Sequence, residues 1–261
     1  MFSLYSSMYN LENSFIDWRG AIGNFSCFAD ELVISTLPKD FEILRDYIQN
    51  FLIERHKVKI MVCKDISLED PLFDGKLKNA ALKCCKEPFC ILLDADERIG
   101  IADKPKWIEY ANLLSKLDYD AFLLPVVDLF NSYKEYKSIG LKWYLSKNLP
   151  NLNRGVVNFA INGDKIDINK SDTTELIYDD GSLVRSTPIV TNPMTLEAIK
   201  KLGVKVWHLG WLDKENRLKS NEFWQPVWNA RAGKEVNNII HSKEKLDIIE
   251  YWPHGLRLWH E

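Results

Sequence analysis

The 261-residue chain has no run approaching 18 apolar residues, and no basic stretch followed by a long apolar one at its start. That pattern excludes a conventional membrane span and predicts no signal peptide. It has no excess of basic charge either: 34 Lys and Arg stand against 37 Asp and Glu, a net charge of −3. An electrostatic nucleic-acid binder is therefore not expected. The five cysteines (Cys27, Cys63, Cys84, Cys85, Cys90) are odd in number and lack paired Cys-x-x-Cys spacing, which points away from zinc and from a disulfide framework. Reduced thiols beside core elements, and hence a cytoplasmic location, are the expectation. No internal repeat or low-complexity segment is present. A hydrophobic content of 46% and a charged content of 27% suit an ordinary globular protein with a full core.

What is present is an alternation of strand and helix signals over the first 130 residues. Strands are predicted at Phe2–Ser7, Glu31–Leu37, Val58–Val62, Phe89–Leu93 and Ala121–Val126. Helices are predicted across Leu11 to Ile22, after Pro38, after Asp74-Gly75 and around Trp107 to Leu117. Repeated βα units imply a mainly parallel, doubly wound α/β sheet flanked by helices. From about residue 130 the pattern changes. Lys142 to Asn153 is aromatic and basic, Val156 to Ile168 alternates like a hairpin around Asn162-Gly163-Asp164, and Ser171 to Arg185 is acidic and turn-rich. Leu196 to Leu202 is read as a helix and Val204 to Leu209 as a short strand. Seven of the nine tryptophans (Trp143, Trp207, Trp211, Trp224, Trp228, Trp252, Trp259) fall after residue 140, as core of a smaller C-terminal region or as a wall for a sugar.

The segment richest in chemistry is Phe89-Cys90-Ile91-Leu92-Leu93-Asp94-Ala95-Asp96-Glu97. A strand without polar alternation, buried on both faces, stops on three carboxylates at the sheet edge where ligands of such folds sit. On an extended backbone Asp94 and Asp96 point to the same side, and two like charges held close call for a cation between them.

Three features together resemble the family 2 glycosyltransferases of the GT-A fold. They are the opening strand running into Tyr9-Asn10, the segment Gly75-Lys76-Leu77-Lys78-Asn79-Ala80-Ala81-Leu82, and the Asp-x-Asp of Asp94 and Asp96 at the right distance beyond it. The match covers about residues 1 to 130, and isolated points thereafter. It implies a GT-A fold, with residues 1–130 binding a nucleotide-diphosphate sugar and 131–261 forming the side that receives a saccharide or glycoconjugate acceptor.

The implied activity is metal-dependent, inverting sugar transfer with Mn²⁺ or Mg²⁺. Asp94, Asp96 and His208 are the implied metal ligands, the last in Val206-Trp207-His208-Leu209-Gly210-Trp211. Glu97 is either a supporting carboxylate or a solvated flank. Asn10, Ser35, Asp40, Lys76, Asn79 and Asp94 are the implied donor-side residues, with Lys78 and Arg154 as further cations for phosphate. Where many members carry an Asp-rich run after the second strand, this chain has Ser35-Thr36-Leu37-Pro38-Lys39-Asp40. Either Asp40 or the pair Ser35 and Thr36 then meets the base. The general base is sought among Asp172, Glu175, Asp179 and Asp180, with Glu175 preferred for the apolar stretch beside it and Asp180 as the alternative. His56, His241, His254 and His260 need no special role. Two other classes remain open: a nucleotidyltransferase, though no glycine-rich, Arg-containing loop follows the first strand, and a non-catalytic carbohydrate-binding relative.

Overall fold

The computed structural model describes residues 1–155, 175–180, 182–190, 195–232 and 247–248. The expected hairpin at Val156–Ile168 and the acidic Asp172 lie outside them. The protein is a mixed α/β fold whose central sheet is flanked by helices.

Strands β1 (Phe2–Ser7), β2 (Glu31–Thr36), β3 (Val58–Val62) and β4 (Phe89–Leu92) pair in parallel in the order β3-β2-β1-β4. Helices α1 (Trp18–Phe28), α2 (Pro38–Phe51) and α3 (Phe73–Leu82) connect them, as right-handed βα crossovers require. Residues at alternate positions of β1 serve two cores. Phe2 and Leu4 pack with Ile22 and Phe25 of α1 and Leu44 of α2, whereas Tyr5 packs with Val33, Ala81, Cys90 and Leu92 on the α3 side. Each fully buried Phe or Leu, on the strands and on the helices packed over them, contributes about 1.5–3 kcal/mol. All five cysteines are free thiols; Cys27 is exposed on α1 rather than set in the core.

The first helix starts later than its apolar spacing suggests. Asn10 adopts a left-handed backbone (φ 56), and the buried Asp40 carboxylate accepts the Asn10 and Leu11 N–H groups, each at 2.9 Å. Only a short turn follows, over Leu11–Asn13. The helix proper begins after Asp17, whose side chain caps Gly20 N–H at 2.9 Å. A Cβ at Gly20 would collide with that carboxylate, so the glycine permits the cap rather than ending the helix.

Beyond β4 and a short strand β5 (Glu97–Ile99), helix α4 (Lys104–Lys116) leads into β6 (Ala121–Phe130). Strand β6 does not stop near residue 126 and does not pair with β4. It turns at Asn131 (φ 58) into the 16-residue β7 (Ser132–Lys147), and β7 lies antiparallel between β4 and β6. The sheet is therefore parallel at one end and mixed at the other, and it runs without a break across residue 130.

Beyond β7 comes a separate two-stranded sheet of β8 (Leu152–Gly155) and β9 (Glu175–Tyr178), with β8 packed on α3. Strand β10 (Ser186–Pro188) joins the first half of β6. Helix α5 (Leu196–Leu202) then precedes β11 (Val206–His208), which pairs parallel to β6 and antiparallel to β5. Helix α6 (Lys214–Ala232) and β12 (Asp247–Ile248), paired with β7, complete the described elements. Among the described residues, no helix is long and apolar enough to cross a membrane.

Candidate active site

The site forms where β4 ends. Leu93 N–H still bonds the Tyr5 carbonyl at 3.2 Å, and the chain then folds into a tight turn in which Glu97 N–H donates to the Asp94 carbonyl at 2.9 Å. The Glu97 carboxylate reaches back to accept Asp94 N–H at 2.8 Å. The segment is thus a locked turn, not an extended strand. Asp94 and Asp96 consequently point to different partners, where an extended backbone would have placed them side by side.

Asp94 is held by two buried ammonium groups. Lys78 of α3 approaches one carboxylate oxygen at 2.6 Å and Lys142 of β7 the other at 2.6 Å. Lys78 also pairs with the buried Asp74 at 2.9 Å, and Asp74 accepts the Ser7 hydroxyl at 2.9 Å. Burial alone would raise the Asp94 pKa, but Lys142 and Lys78 hold it far below the carboxylate range. Burial would likewise lower the Lys78 pKa, and Asp74 and Asp94 raise it instead.

Glu97 is buried beneath them, accepting the Tyr144 hydroxyl at 2.6 Å and the Lys142 ammonium at 3.2 Å. It is no solvated flank. Burial pushes its pKa up to about 6, Lys142 opposing and the charges of Asp94 and Asp96 adding to the rise. A carboxyl raised in this way favours the native state when protonated. Its contribution is fully present below the ordinary glutamate value and is lost as pH rises through about 6. In Glu97→Gln, that loss of stability across the window is expected to disappear from urea titrations of the metal-free protein; an unchanged pH slope would show that Glu97 titrates normally.

Asp96 faces His208 instead. Register places His208 on β11 between Glu97 of β5 and Asp128 of β6. Asp128 Oδ1 lies 2.8 Å from His208 Nδ1, and the Ser138 hydroxyl donates to the other Asp128 oxygen. His208 Nε2 lies 3.2 Å from Asp96 Oδ2. Burial would depress the imidazole pKa, but Asp96 and Asp128 raise it well above the ordinary histidine value. Asp96, against the same burial, is lowered by His208. All four of Asp94, Asp96, Asp128 and His208 keep about a fifth to a quarter of their side-chain surface exposed, so the cluster opens to solvent.

Among the described residues, no group of three or more His, Cys, Asp or Glu side chains gathers as a metal-ligand set, and Asp96 with His208 is the pair that could hold a cation. Five carboxylates (Asp74, Asp94, Asp96, Glu97, Asp128) face two lysines, an excess of three negative charges before His208 is counted. Between two carboxylates the imidazole is held protonated and donates from both nitrogens; a cation at Nε2 would have to displace that proton, leaving Nδ1–H on Asp128, the carboxylate–histidine pairing that orients metal ligands. Gly210 faces the same gap: a Cβ there would stand 2.7 Å from Asp96 Oδ2 and 2.9 Å from His208 Nε2. The missing side chain keeps the space between the two open.

The remaining expected residues fall in several places. Lys76 is exposed and paired with Asp70, away from the cluster that Lys78 joins two positions on. Asp40 is engaged by the Asn10–Leu11 loop, Ser35 is buried with its hydroxyl 3.4 Å from the Ser6 carbonyl, and the Asn79 side-chain oxygen accepts Arg154 N–H at 3.3 Å. Arg154 is itself buried, donating to the Tyr5 hydroxyl at 2.6 Å. Glu175 opens β9 opposite Gly155, and its side chain lies outside the described set. Asp180 is exposed in a turn and accepts Ser182 N–H at 2.9 Å and the Ser182 hydroxyl at 2.6 Å, which lower its pKa. Asp179 is exposed and bonds Asn153.

Asp128, Lys142 and Tyr144 were not anticipated. Asp128 had a signal, a lone acid in the apolar run Val126-Val127-Asp128-Leu129-Phe130. Lys142 and Tyr144 lay in a stretch read as aromatic and basic, and only the β4–β7 pairing brings them to Asp94.

No protein-family model and no curated protein matches the chain. Among solved structures, it is similar to S. aureus TarS residues 1–349 in complex with UDP-GlcNAc, at 22% identity and a TM-score of 0.34, over 49% of this chain and 35% of that one. It is also similar to HddC from Yersinia pseudotuberculosis (12% identity, TM-score 0.39, 85% and 99% covered). A third is the 4-diphosphocytidyl-2C-methyl-D-erythritol synthase from Anaerococcus prevotii (8% identity, TM-score 0.36, 78% and 94% covered). The chain spans about a third of the length of that TarS structure.

Proposed function

We propose that the protein is a metal-dependent glycosyltransferase that moves a sugar from a nucleotide-diphosphate donor to a hydroxyl acceptor with inversion. The observation that carries the reading is the Asp96–His208 pair, 3.2 Å apart, backed by Asp128 and fronted by the side-chain-free Gly210. Asp96 and His208 would hold Mn²⁺ or Mg²⁺, with Asp94 nearby. A cation held there would supply Lewis-acid stabilisation of a departing diphosphate.

The residues of the chain do the rest. Lys78 and Lys142 fix the Asp94 carboxylate, and Glu97 and Tyr144 fix the turn that carries both aspartates. The acceptor oxygen bonds to the anomeric carbon as that carbon's bond to the diphosphate breaks, the electron pair leaving with the diphosphate. The acceptor proton passes to a carboxylate base, for which Glu175 on β9 is our assignment. The donor nucleotide is assigned to the β1–β3 end of the sheet, around Asn10, Ser35, Asp40 and Asn79.

Calorimetric titration with a panel of nucleoside diphosphates, with Mn²⁺ and in EDTA, tests this reading. A shared site makes each ligand raise the affinity for the other, by about tenfold or more. Affinity indifferent to EDTA would remove the metal from the donor site. A second reading, nucleotidyl transfer, has one feature in its favour: two buried lysines converging on one carboxylate also suit a phosphorus centre gaining negative charge. Release of pyrophosphate from a nucleoside triphosphate and a sugar 1-phosphate would select it.

A further inference from the structure

Next to His208, on the side away from β3-β2-β1, the tip of the β6–β7 hairpin meets the loop that follows β11. Trp211 sets its ring edgewise to His208 at 6.0 Å between centroids, and Phe130 stands 6.4 Å from Trp211. Asn131 N–H bonds the Trp211 carbonyl at 3.3 Å, tying hairpin tip to loop. Two cations lie on these rings: the Lys137 ammonium 4.2 Å from the Trp211 centroid, and the Arg217 guanidinium 4.4 Å from that of Phe130.

Arg217 is the telling member. It is only 8% exposed, yet the one hydrogen bond its guanidinium makes among the described residues goes to the Trp211 carbonyl at 2.5 Å, and no described carboxylate pairs with it. A guanidinium carries five donors, and none of the Arg217 donors left over from the Trp211 carbonyl is a buried, unpartnered atom, so they reach the surface and are open to an anion. The other buried cations around the site, Lys78, Lys142 and Arg98, all have carboxylate partners.

We propose that this ledge is the acceptor subsite and that the acceptor is an anionic saccharide, one bearing a phosphate or a carboxylate group. The inference rests on the glycosyltransferase reading. Phe130 and Trp211 offer apolar surface to a sugar ring, and Arg217 and Lys137 meet its acid group. The position beside His208, opposite the strands assigned to the nucleotide, brings the acceptor to the reacting end of the donor.

The test uses the full chain and three probes: a neutral disaccharide, its phosphate monoester and its uronate analogue, titrated calorimetrically at low salt with and without UDP and Mn²⁺. The anionic probes are expected to bind about tenfold or more tightly than the neutral one, a preference that weakens with salt. Comparing the two anionic probes tells phosphate from carboxylate. The preference is expected to collapse in Arg217→Gln, to survive in Arg217→Lys and to shrink severalfold in Lys137→Gln. Melting curves check each variant for folding, and if Arg217→Gln does not fold, Lys137→Gln decides. Equal affinity for the three probes, no binding of any, or a preference intact in the folded variants would overturn the proposal. A chain that keeps the anion preference without binding nucleotide and Mn²⁺ would retire the glycosyltransferase reading while leaving the subsite in place.

Discussion

Replacing Asp96 with alanine is expected to abolish metal-dependent transfer while moving the melting temperature by only about 3 °C, the change that accompanies a loss near 1 kcal/mol in a chain of this size. Among the described residues Asp96 has a single side-chain hydrogen-bond partner, His208, at 3.2 Å, and both remain about a fifth exposed. Gly210→Ala is expected to mimic the loss. Its new methyl group would sit within 3 Å of both Asp96 Oδ2 and His208 Nε2 and would occupy the cation's place without removing a ligand. Titration of Mn²⁺-dependent activity beside a thermal melt in EDTA separates the outcomes. An Asp96→Ala protein that still responds to Mn²⁺ would sink the metal assignment. A Gly210→Ala protein with parental Mn²⁺ affinity would show that the gap is not where the cation binds.

Asp94, two residues earlier, is expected to behave oppositely. Its carboxylate is the shared counter-ion of Lys78 and Lys142, and both lysines are less than a tenth exposed. Removing one partner of a buried ion pair costs about 3–5 kcal/mol, because the charge left behind is neither hydrated nor compensated. Asp74 and Glu97 keep some hold on the two lysines, so we expect the lower end, about 3 kcal/mol, for Asp94→Asn in urea unfolding. The sign with pH follows from the depressed pKa. The Asp94 contribution is complete above the unfolded carboxylate value and is lost as pH falls below it, whereas Glu97 contributes in the opposite sense through pH 6. An Asp94→Asn protein as stable as the parent at neutral pH would mean that the lysine clamp carries little energy.

The sequence was most legible where one periodicity dominates. The strands Phe2–Ser7, Val58–Val62 and Phe89–Leu92 and the helix after Pro38 appear nearly as expected: Phe89–Leu92 is an unbroken apolar run buried on both faces, Val58–Val62 is rich in β-branched residues, and the helix stripe repeats every three or four residues. The meeting of Asp96 with His208 was legible in outline, since each is attached to a recognisable strand end. The hairpin was not. Strand β7 reads Ser-Tyr-Lys-Glu-Tyr-Lys-Ser-Ile-Gly-Leu-Lys-Trp-Tyr-Leu-Ser-Lys, and its lysines mimic a solvated segment unless the aspartate waiting for Lys142 is known. Spacing rules see local order, whereas Lys142 meets Asp94 across 48 residues. The turn at 94–97 escaped for a related reason: an extended reading of Asp94 and Asp96 holds only until the Glu97 side chain closes back on the Asp94 amide.

Helix α6 touches both ends of the site. Arg217 in its first turns lies on Phe130, while Phe223 and Trp224 stack on Tyr9 and Phe73, over the loop after β1 and the start of α3. Seven residues separate Arg217 from Trp224, about 10 Å of helix, and Pro226 interrupts the backbone ladder just beyond. Under the function proposed above, this rod of two turns, resting at one end on Phe130 and at the other on Tyr9 and Phe73, would act as a strut setting the distance between acceptor and donor. Loosening its aromatic foot on Tyr9 and Phe73 would blunt acceptor selection from the donor side, with neither binding surface altered.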